Sequence, residues 1–284
     1  MRVEERGVSS AVVISIIIVV GIVIVGGYFL LKGGGEKGKE EIGLTPHDPI
    51  HIIGNDNFTS TNGFVSGSGT KSNPYIIEGW DISAENAHGI WVENTTAYFV
   101  IRNCYVHNGR DNNYLGILFD NVVNGKIINS LVENNGHGIY LLNHSSNNTI
   151  ENNTARNSKD DGIQLDYSYN NLISNNTVEN NRDGIDLWGS NNNLILNNTV
   201  EDDLFIGIYL IDSHFNHIFH NNFFNNVTQV NDWGYNTWDN GYPSGGNYWL
   251  DYAGSDANGD GIGDTPYNIP GGSNQDQYPL MNPV

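Results

Sequence analysis

Cysteine is almost absent from this chain. Of 284 residues, one is cysteine, Cys104, and two are methionine. A disulfide scaffold and a cysteine-based zinc site are therefore excluded. Positive charge is also scarce: 12 Lys and Arg stand against 32 Asp and Glu, a net charge of −20. With so little to neutralise phosphates, nucleic acid is excluded as a partner. Charged residues make up only 15% of the chain, too few for a charged disordered polymer. What is present in excess is asparagine. There are 45 asparagines, none in the first 50 residues, together with 34 glycines. Asn and Gly among scattered β-branched residues disfavour long helices and favour turn-dense β structure.

Long apolar runs are missing too, with one exception. Ala11 to Leu31 carries no charge and is almost wholly apolar. Its length matches the roughly 20 residues that span a bilayer, and exceeds the ~7–15 of a cleaved signal core. Residues 1–31 are thus expected to be an N-terminal transmembrane anchor or pilin-like leader. Residues 32–49, which begin with Gly, Lys and Glu, should be a flexible tether. Nearly all of the net charge lies beyond that point, with seven basic and 26 acidic residues from Ile50 onward. Such an acidic remainder reads as an extracellular domain on a cell membrane, with the N-terminus cytoplasmic.

Internal repeats decide the fold. A Gly-Ile pair recurs at Gly89, Gly116, Gly138, Gly162, Gly184 and Gly207, at spacings of 27, 22, 24, 22 and 23 residues. A second isoleucine follows each pair, at Ile101, Ile127, Ile150, Ile173, Ile195 and Ile218. Two residues later comes a column of Asn103, Asn129, Asn152, Asn175, Asn197 and His220; five later, Val106, Val132, Ala155, Val178, Val200 and Phe223; seven later, Asn108, Asn134, Asn157, Asn180, Asp202 and Asn225. Apolar alternation in Gly-Ile-x-Leu predicts a strand with one buried face. Repeats of 22–24 residues are too short for βαβ units. Three strands and three turns per repeat predict an all-β fold: a single right-handed parallel β-helix over residues 50–230. Asparagines stacked about 4.8 Å apart can hydrogen-bond from coil to coil and also tolerate the left-handed backbone of sharp turns. Ile50 to Ile82 should close the first end. Residues 231–284, with Trp233, Trp238, Tyr242, Tyr248, Trp249 and Tyr252, should form an aromatic C-terminal cap.

The repeats Gly-Ile-x-Leu, Asn-x-Ile and Asn-Asn-Thr-Val resemble parallel β-helix repeats of the carbohydrate-binding and sugar-hydrolase type. The chain resembles more narrowly the NosD-like periplasmic copper-binding β-helix family and its archaeal surface relatives. Gly69-Thr-Lys-Ser-Asn-Pro-Tyr-Ile-Ile-Glu-Gly79 and Gly246-Asn-Tyr-Trp-Leu-Asp-Tyr252 carry that likeness. Arg6-Gly7-Val8-Ser9-Ser10 is similar to an archaeal surface-protein leader. The resemblance implies a fold; it implies no particular reaction.

Three constellations bear on chemistry. Asp256, Asn258, Asp260, the Ile262 carbonyl and Asp264 stand at positions 1, 3, 5, 7 and 9 of a loop with Gly261 at position 6. That is the oxygen spacing of a calcium loop, with Tyr267 in place of the usual Glu, so that the bidentate ligand either comes from elsewhere, as from Asp251, or is lacking. Calcium would then staple the cap. The second lies on the outward face of the first strand of each coil. Trp91, Tyr140, Asp166, Trp188 and Tyr209 combine rings and carboxylates suited to a glycan. Asp161 and Asp183 share a column in adjacent coils and, with Asp186, are candidates for glycosidase or lyase catalysis. The patterns Gly136-His137-Gly138 and Asp160-Asp161 run in the order opposite to polygalacturonase-like enzymes, and their Arg-x-Lys is lacking. The third is His214, His217 and His220, whose spacing alternates faces on a strand; with no Cys or Met cluster, copper is disfavoured. Pro46-His47-Asp48-Pro49 resembles the acidic-His motif of uronan epimerases but reads as a turn before the first coil. Of the glycosylation sequons, Asn57, Asn94, Asn143 and Asn226 fall outside the repeat columns and are the expected acceptors. The leading expectation is a non-enzymatic structural or carbohydrate-binding module. A carbohydrate-active enzyme and a NosD-like copper-handling accessory protein are the alternatives.

Overall fold

The computed structural model describes residues 43–284. The apolar span, the leader motif and most of the tether lie outside the described residues. No helix among the described residues is long and apolar enough to cross a membrane.

The chain winds into a right-handed parallel β-solenoid of about eight turns. Each coil contributes one strand to each of three sheets. The first sheet stacks Ile50–Ile53, Ile90–Thr95, Ile117–Val122, Ile139–Leu142, Asp161–Asp166, Asp183–Trp188, Ile206–Ile211 and Thr228–Asp232, all parallel. The second and third are centred on the later isoleucine and Val columns, as the repeats predict. Pairing joins like positions: Ile139 lies opposite Ile163, and Ile163 opposite Ile185. All three apolar columns point inward and are fully buried.

The recurrence of glycine before the first isoleucine of each repeat has a steric cause. A Cβ on Gly184 would sit 2.5 Å from the Gly207 carbonyl oxygen and 2.6 Å from the Val200 side chain. The coils approach too closely there for any side chain.

Two boundaries differ from the sequence expectation. The first paired residues are Thr45–Pro46, which run parallel to Trp80–Ser83, so the solenoid starts within the segment expected to be tether. His47 packs on Trp80 at 4.7 Å, at the edge of this third sheet, away from the outward face of the first. The N-terminal closure is also narrower than Ile50 to Ile82. Those residues already supply coil strands, and the cap is Phe64–Ser66, antiparallel to Tyr75–Glu78. At the other end, Phe223, Trp249 and Tyr267 stack with centroids 4.4 and 4.2 Å apart. Trp249 Nε1 donates to Asp276 Oδ2 at 2.9 Å, and Trp238 Nε1 to Asp232 Oδ2 at 2.8 Å.

The asparagine excess divides into two kinds of column. Asn103, Asn129, Asn152, Asn175, Asn197 and His220 all have φ between 50° and 56°. They turn the corner and are not the inward rungs. Asn, with a short polar side chain, takes this left-handed conformation more readily than other L-residues. The inward rung is the next residue: Asn153, Asn176, Asn198 and Asn221, all buried. His220 is therefore a corner residue. A second corner repeats the arrangement. Asn134, Asn180, Asp202 and Asn225 turn, while Asn135, Asn181, Asp203 and Asn226 lie inside. Asn226 is thus 8% exposed, its amide donating to the Val200 carbonyl and Gln229 Oε1, which corrects its expected role as a glycan acceptor. Asn94 and Asn143 are exposed.

Each rung satisfies corner backbone that no strand could reach. Asn176 Oδ1 accepts from the Asn153 backbone N–H and side-chain amide, while its own amide donates to the Ile150 carbonyl and Asn198 Oδ1. Asn176→Ala should leave several of these groups buried and unpaired, lowering stability by about 3 kcal/mol or more in urea unfolding. One rung carries a different chemistry. Asp203 Oδ1 accepts from Asn181, but Oδ2 occupies the place where other rungs donate to a carbonyl, and it has no partner. Burial pushes this carboxyl up to about 8, against the hydrogen bonds from Asn181. The folded state therefore holds a proton that the unfolded chain releases near pH 4, and stability falls as pH rises from there through about 8. Asp203→Asn restores a donor. It should raise stability at pH 9 by about 1–3 kcal/mol and change it little at pH 4, read from melts at the two pH values.

Candidate functional site

Outward residues on the first sheet form columns in the same register as the core. One column runs His51, Trp91, Leu118, Tyr140, Gln164, Asp186, Tyr209 and Asn231. Two residues further along each strand, Asp120, Leu142, Asp166, Trp188 and Ile211 point the same way. Strand alternation thus places the polar positions of Asp-Gly-Ile-Gln-Leu-Asp and Asp-Gly-Ile-Asp-Leu-Trp side by side.

The centre of the face is acidic. Asp161 lies opposite Asp183, and Gln164 opposite Asp186. His137 Nδ1 is 3.2 Å from Asp161 Oδ2. Asp183 Oδ1 accepts from the Ile206 amide, and Arg182 reaches Asp183 at 3.9 Å and Asp160 at 3.5 Å. Tyr140 donates its hydroxyl to Asp166, and Gln164 Nε2 donates to Asp166 Oδ1 at 3.1 Å. Two acceptors in this group have no partner: Gln164 Oε1 and Asp186 Oδ1.

The electrostatics follow from crowding. Burial, then the charges of Asp161, Asp183 and Asp166, push the Asp186 carboxyl up to about 8. Burial and Asp161 also raise Asp183. Burial raises Asp166 against the hydrogen bond from Tyr140, and Tyr140 itself is raised by burial and by Asp166. Asp186 is thus a carboxyl that can take up or release a proton near neutral pH.

Of the residues singled out in the sequence, Asp161, Asp183, Asp186, Tyr140, Asp166, Trp188 and Tyr209 come together on adjoining strands. Trp188 is about half exposed, a ring beside the acids. Trp91 stands apart, with Leu118 between it and Tyr140. It stacks on His51 at 4.0 Å and helps line a pocket of about 350 Å³ with Pro49, Ala87, His88 and Tyr114. Burial, then His51, lowers the His88 imidazole. Gln164 falls in the outward column that strand alternation predicts, but its spacing marks no role. The sign of its importance is the orphaned oxygen, which only the packed side chains reveal.

The Asp256 to Asp264 loop turns its oxygens onto itself. Asp256 accepts from the Gly259, Asp260 and Gly261 amides, Asp260 from Ile262, and Asp264 from Ala257. Asp251 instead accepts from the Tyr267 hydroxyl at 3.2 Å. The three clustered histidines diverge: His217 and His220 contact the carbonyls of Asp239 and Ser244, and His214 accepts from the Tyr235 amide.

A model of the family described as periplasmic copper-binding protein (NosD) matches residues 101–254, and one described as right handed beta helix region matches residues 45–155. The chain belongs to the NosD family. No curated protein matches it. Among solved structures, a double-mutant form of the periplasmic alginate epimerase AlgG is similar, with 25% identity and a TM-score of 0.51 over 57% of this chain and 38% of the epimerase. The unmutated AlgG gives 24% identity, a TM-score of 0.50 and the same coverage. The Dettilon tailspike protein gives 18% identity and a TM-score of 0.47 over 73% of this chain and 47% of the tailspike. This chain thus spans well under half of the epimerase it resembles.

The family description implies copper, whose preferred ligands are thiolate, thioether and imidazole. The described residues do not fit it. Cys104 is buried, and burial pushes its thiol up to about 11. No group of three or more His, Cys, Asp or Glu among the described residues could hold a metal ion.

Because mutual repulsion contributes to the raised Asp186, Asp183→Asn should move its titration midpoint below about 8. Carboxyl carbon chemical shifts followed against pH check this; an unmoved midpoint would show that Asp183 does not contribute to the shift.

Proposed function

We propose that this NosD-family solenoid is a carbohydrate-binding protein that takes a glycan on the outward face of its first sheet. The observation that carries this reading is the pair of unpartnered acceptors, Gln164 Oε1 and Asp186 Oδ1, set beside the half-exposed ring of Trp188. Hydroxyl-rich ligands supply donors to such oxygens, and rings cover the apolar faces of sugars. The likeness to an alginate epimerase supports a polysaccharide as the ligand class. In the same proposal, Ala11 to Leu31 holds the domain at a membrane surface.

A second reading, a carbohydrate-active enzyme, rests on one observation. Asp186, raised to about 8, stands against Asp161 and Asp183, so a proton donor and a base share one face. The two readings are separated by one experiment on the full chain in detergent. A glycan array followed by calorimetry should identify a binding oligosaccharide. Trp188→Ala and Asp161→Asn should each weaken it at least about tenfold, or about 1.4 kcal/mol. Shortened or unsaturated products appearing during incubation would assign the face to catalysis. Absence of any glycan binding would remove both readings.

A further inference from the structure

The acidic face also specifies what kind of sugar it suits, and this inference rests on the carbohydrate reading above. We propose that the glycan bears a primary ammonium group, as a de-N-acetylated amino sugar does, and that this group sits between Gln164 Oε1, Asp186 and the Asp161–Asp183 pair.

Gln164 Oε1 and Asp186 Oδ1 at the centre have no partner; the amide oxygen can only accept, and Asp186 accepts through both oxygens once it is ionised, which a bound cation favours. Gln164 is only 8% exposed, so its oxygen has no easy recourse to solvent. A buried acceptor without a donor is costly, and the ligand that relieves it must bring N–H or O–H groups. Asp161 and Asp183 are 4% and 6% exposed and face each other across one strand pairing. An ammonium offers three donors, no acceptor and one positive charge, which answers the orphaned oxygens and the crowded carboxylates together.

The charges around the centre are not balanced from within. Asp160, Asp161, Asp166, Asp183 and Asp186 share the site with His137 and Arg182, and Tyr140 and Tyr209 flank the middle column. Arg182 lies on the rim, 52% exposed, reaching Asp160 and Asp183 at 3.5 and 3.9 Å and lying over the Phe205 ring. Tyr140 is committed to Asp166. Mutual repulsion among Asp161, Asp166, Asp183 and Asp186 contributes to the raised carboxyls, and a bound cation reverses that contribution. A uronate carboxylate would instead add another negative charge, so the face disfavours acidic polysaccharides. The carboxylates do not converge as a metal shell. An ammonium, carried on a ring that Trp188 can cover, needs no such convergence.

The test is calorimetry on the full chain at pH 7 with three probes: a glucosamine oligomer, its N-acetylated counterpart and a mannuronate oligomer. The glucosamine oligomer should bind at least tenfold tighter than the N-acetylated one, and the mannuronate oligomer should not bind measurably. Asp186→Asn should erase the preference. Gln164→Met, which keeps the volume and removes the acceptor, should weaken the glucosamine oligomer several-fold; circular dichroism melts establish that both variants fold. Equal or tighter binding of the N-acetylated oligomer overturns the ammonium inference and leaves the carbohydrate reading intact. Absence of binding by any oligomer defeats the carbohydrate reading itself. A fourth titration, with spermidine, completes the set: affinity equal to that of the glucosamine oligomer would show a general cation site and overturn the amino-sugar assignment.

Discussion

The structure depends on how a sharply turning backbone satisfies its own polar groups. Three corners per coil, repeated over about eight turns, leave many N–H and C=O groups that no strand ladder reaches. A left-handed corner residue followed by a buried amide meets this demand. The corner residue changes the chain's direction; the next side chain turns inward and binds the backbone of the coils on either side. Asparagine suits both places, for different reasons. At the corner it tolerates positive φ; inside, it donates and accepts at once. The apolar columns supply burial, but the amide ladder is what keeps successive coils in a single register.

That register also creates the acidic face. A parallel stack places like positions of neighbouring coils about 4.8 Å apart, inside the core and outside it alike. Inside, repetition is favourable because isoleucine packs well on isoleucine. Outside, repeated aspartates repel each other, and the protein tolerates Asp161 opposite Asp183 only with raised protonation and a rim arginine. The same geometry that makes the core regular thus concentrates unrelieved charge on one surface.

Much of this was legible in the residues. The Gly-Ile pair, the later isoleucines and the Val column name the core, because a strict spatial repeat forces a strict sequence repeat. The outward columns were legible too, since strand alternation assigns them once the register is known. Adjacent asparagines were harder to separate. Asn152 and Asn153 look alike in sequence, yet one turns and the other is buried, and His220 and Asn221 divide the same way. Asn226 and Thr45 depart from their sequence expectation for related reasons: one is an interior rung within a sequon, the other pairs with a strand some 35 residues later. The orphaned oxygens of Gln164 and Asp186 depend on side-chain packing and leave no trace in spacing.

The aromatic stack of Phe223, Trp249 and Tyr267 fixes where the solenoid ends, because its three rings occupy the position another coil would take. Coils in between interact only with their neighbours. Gene-level duplication or loss of one interior coil would therefore move the acidic face along the axis by one strand spacing, while leaving both terminal seals as they are. Distance between the acidic face and either end of the solenoid is in this sense a quantity that evolution can adjust in steps, without redesigning either end.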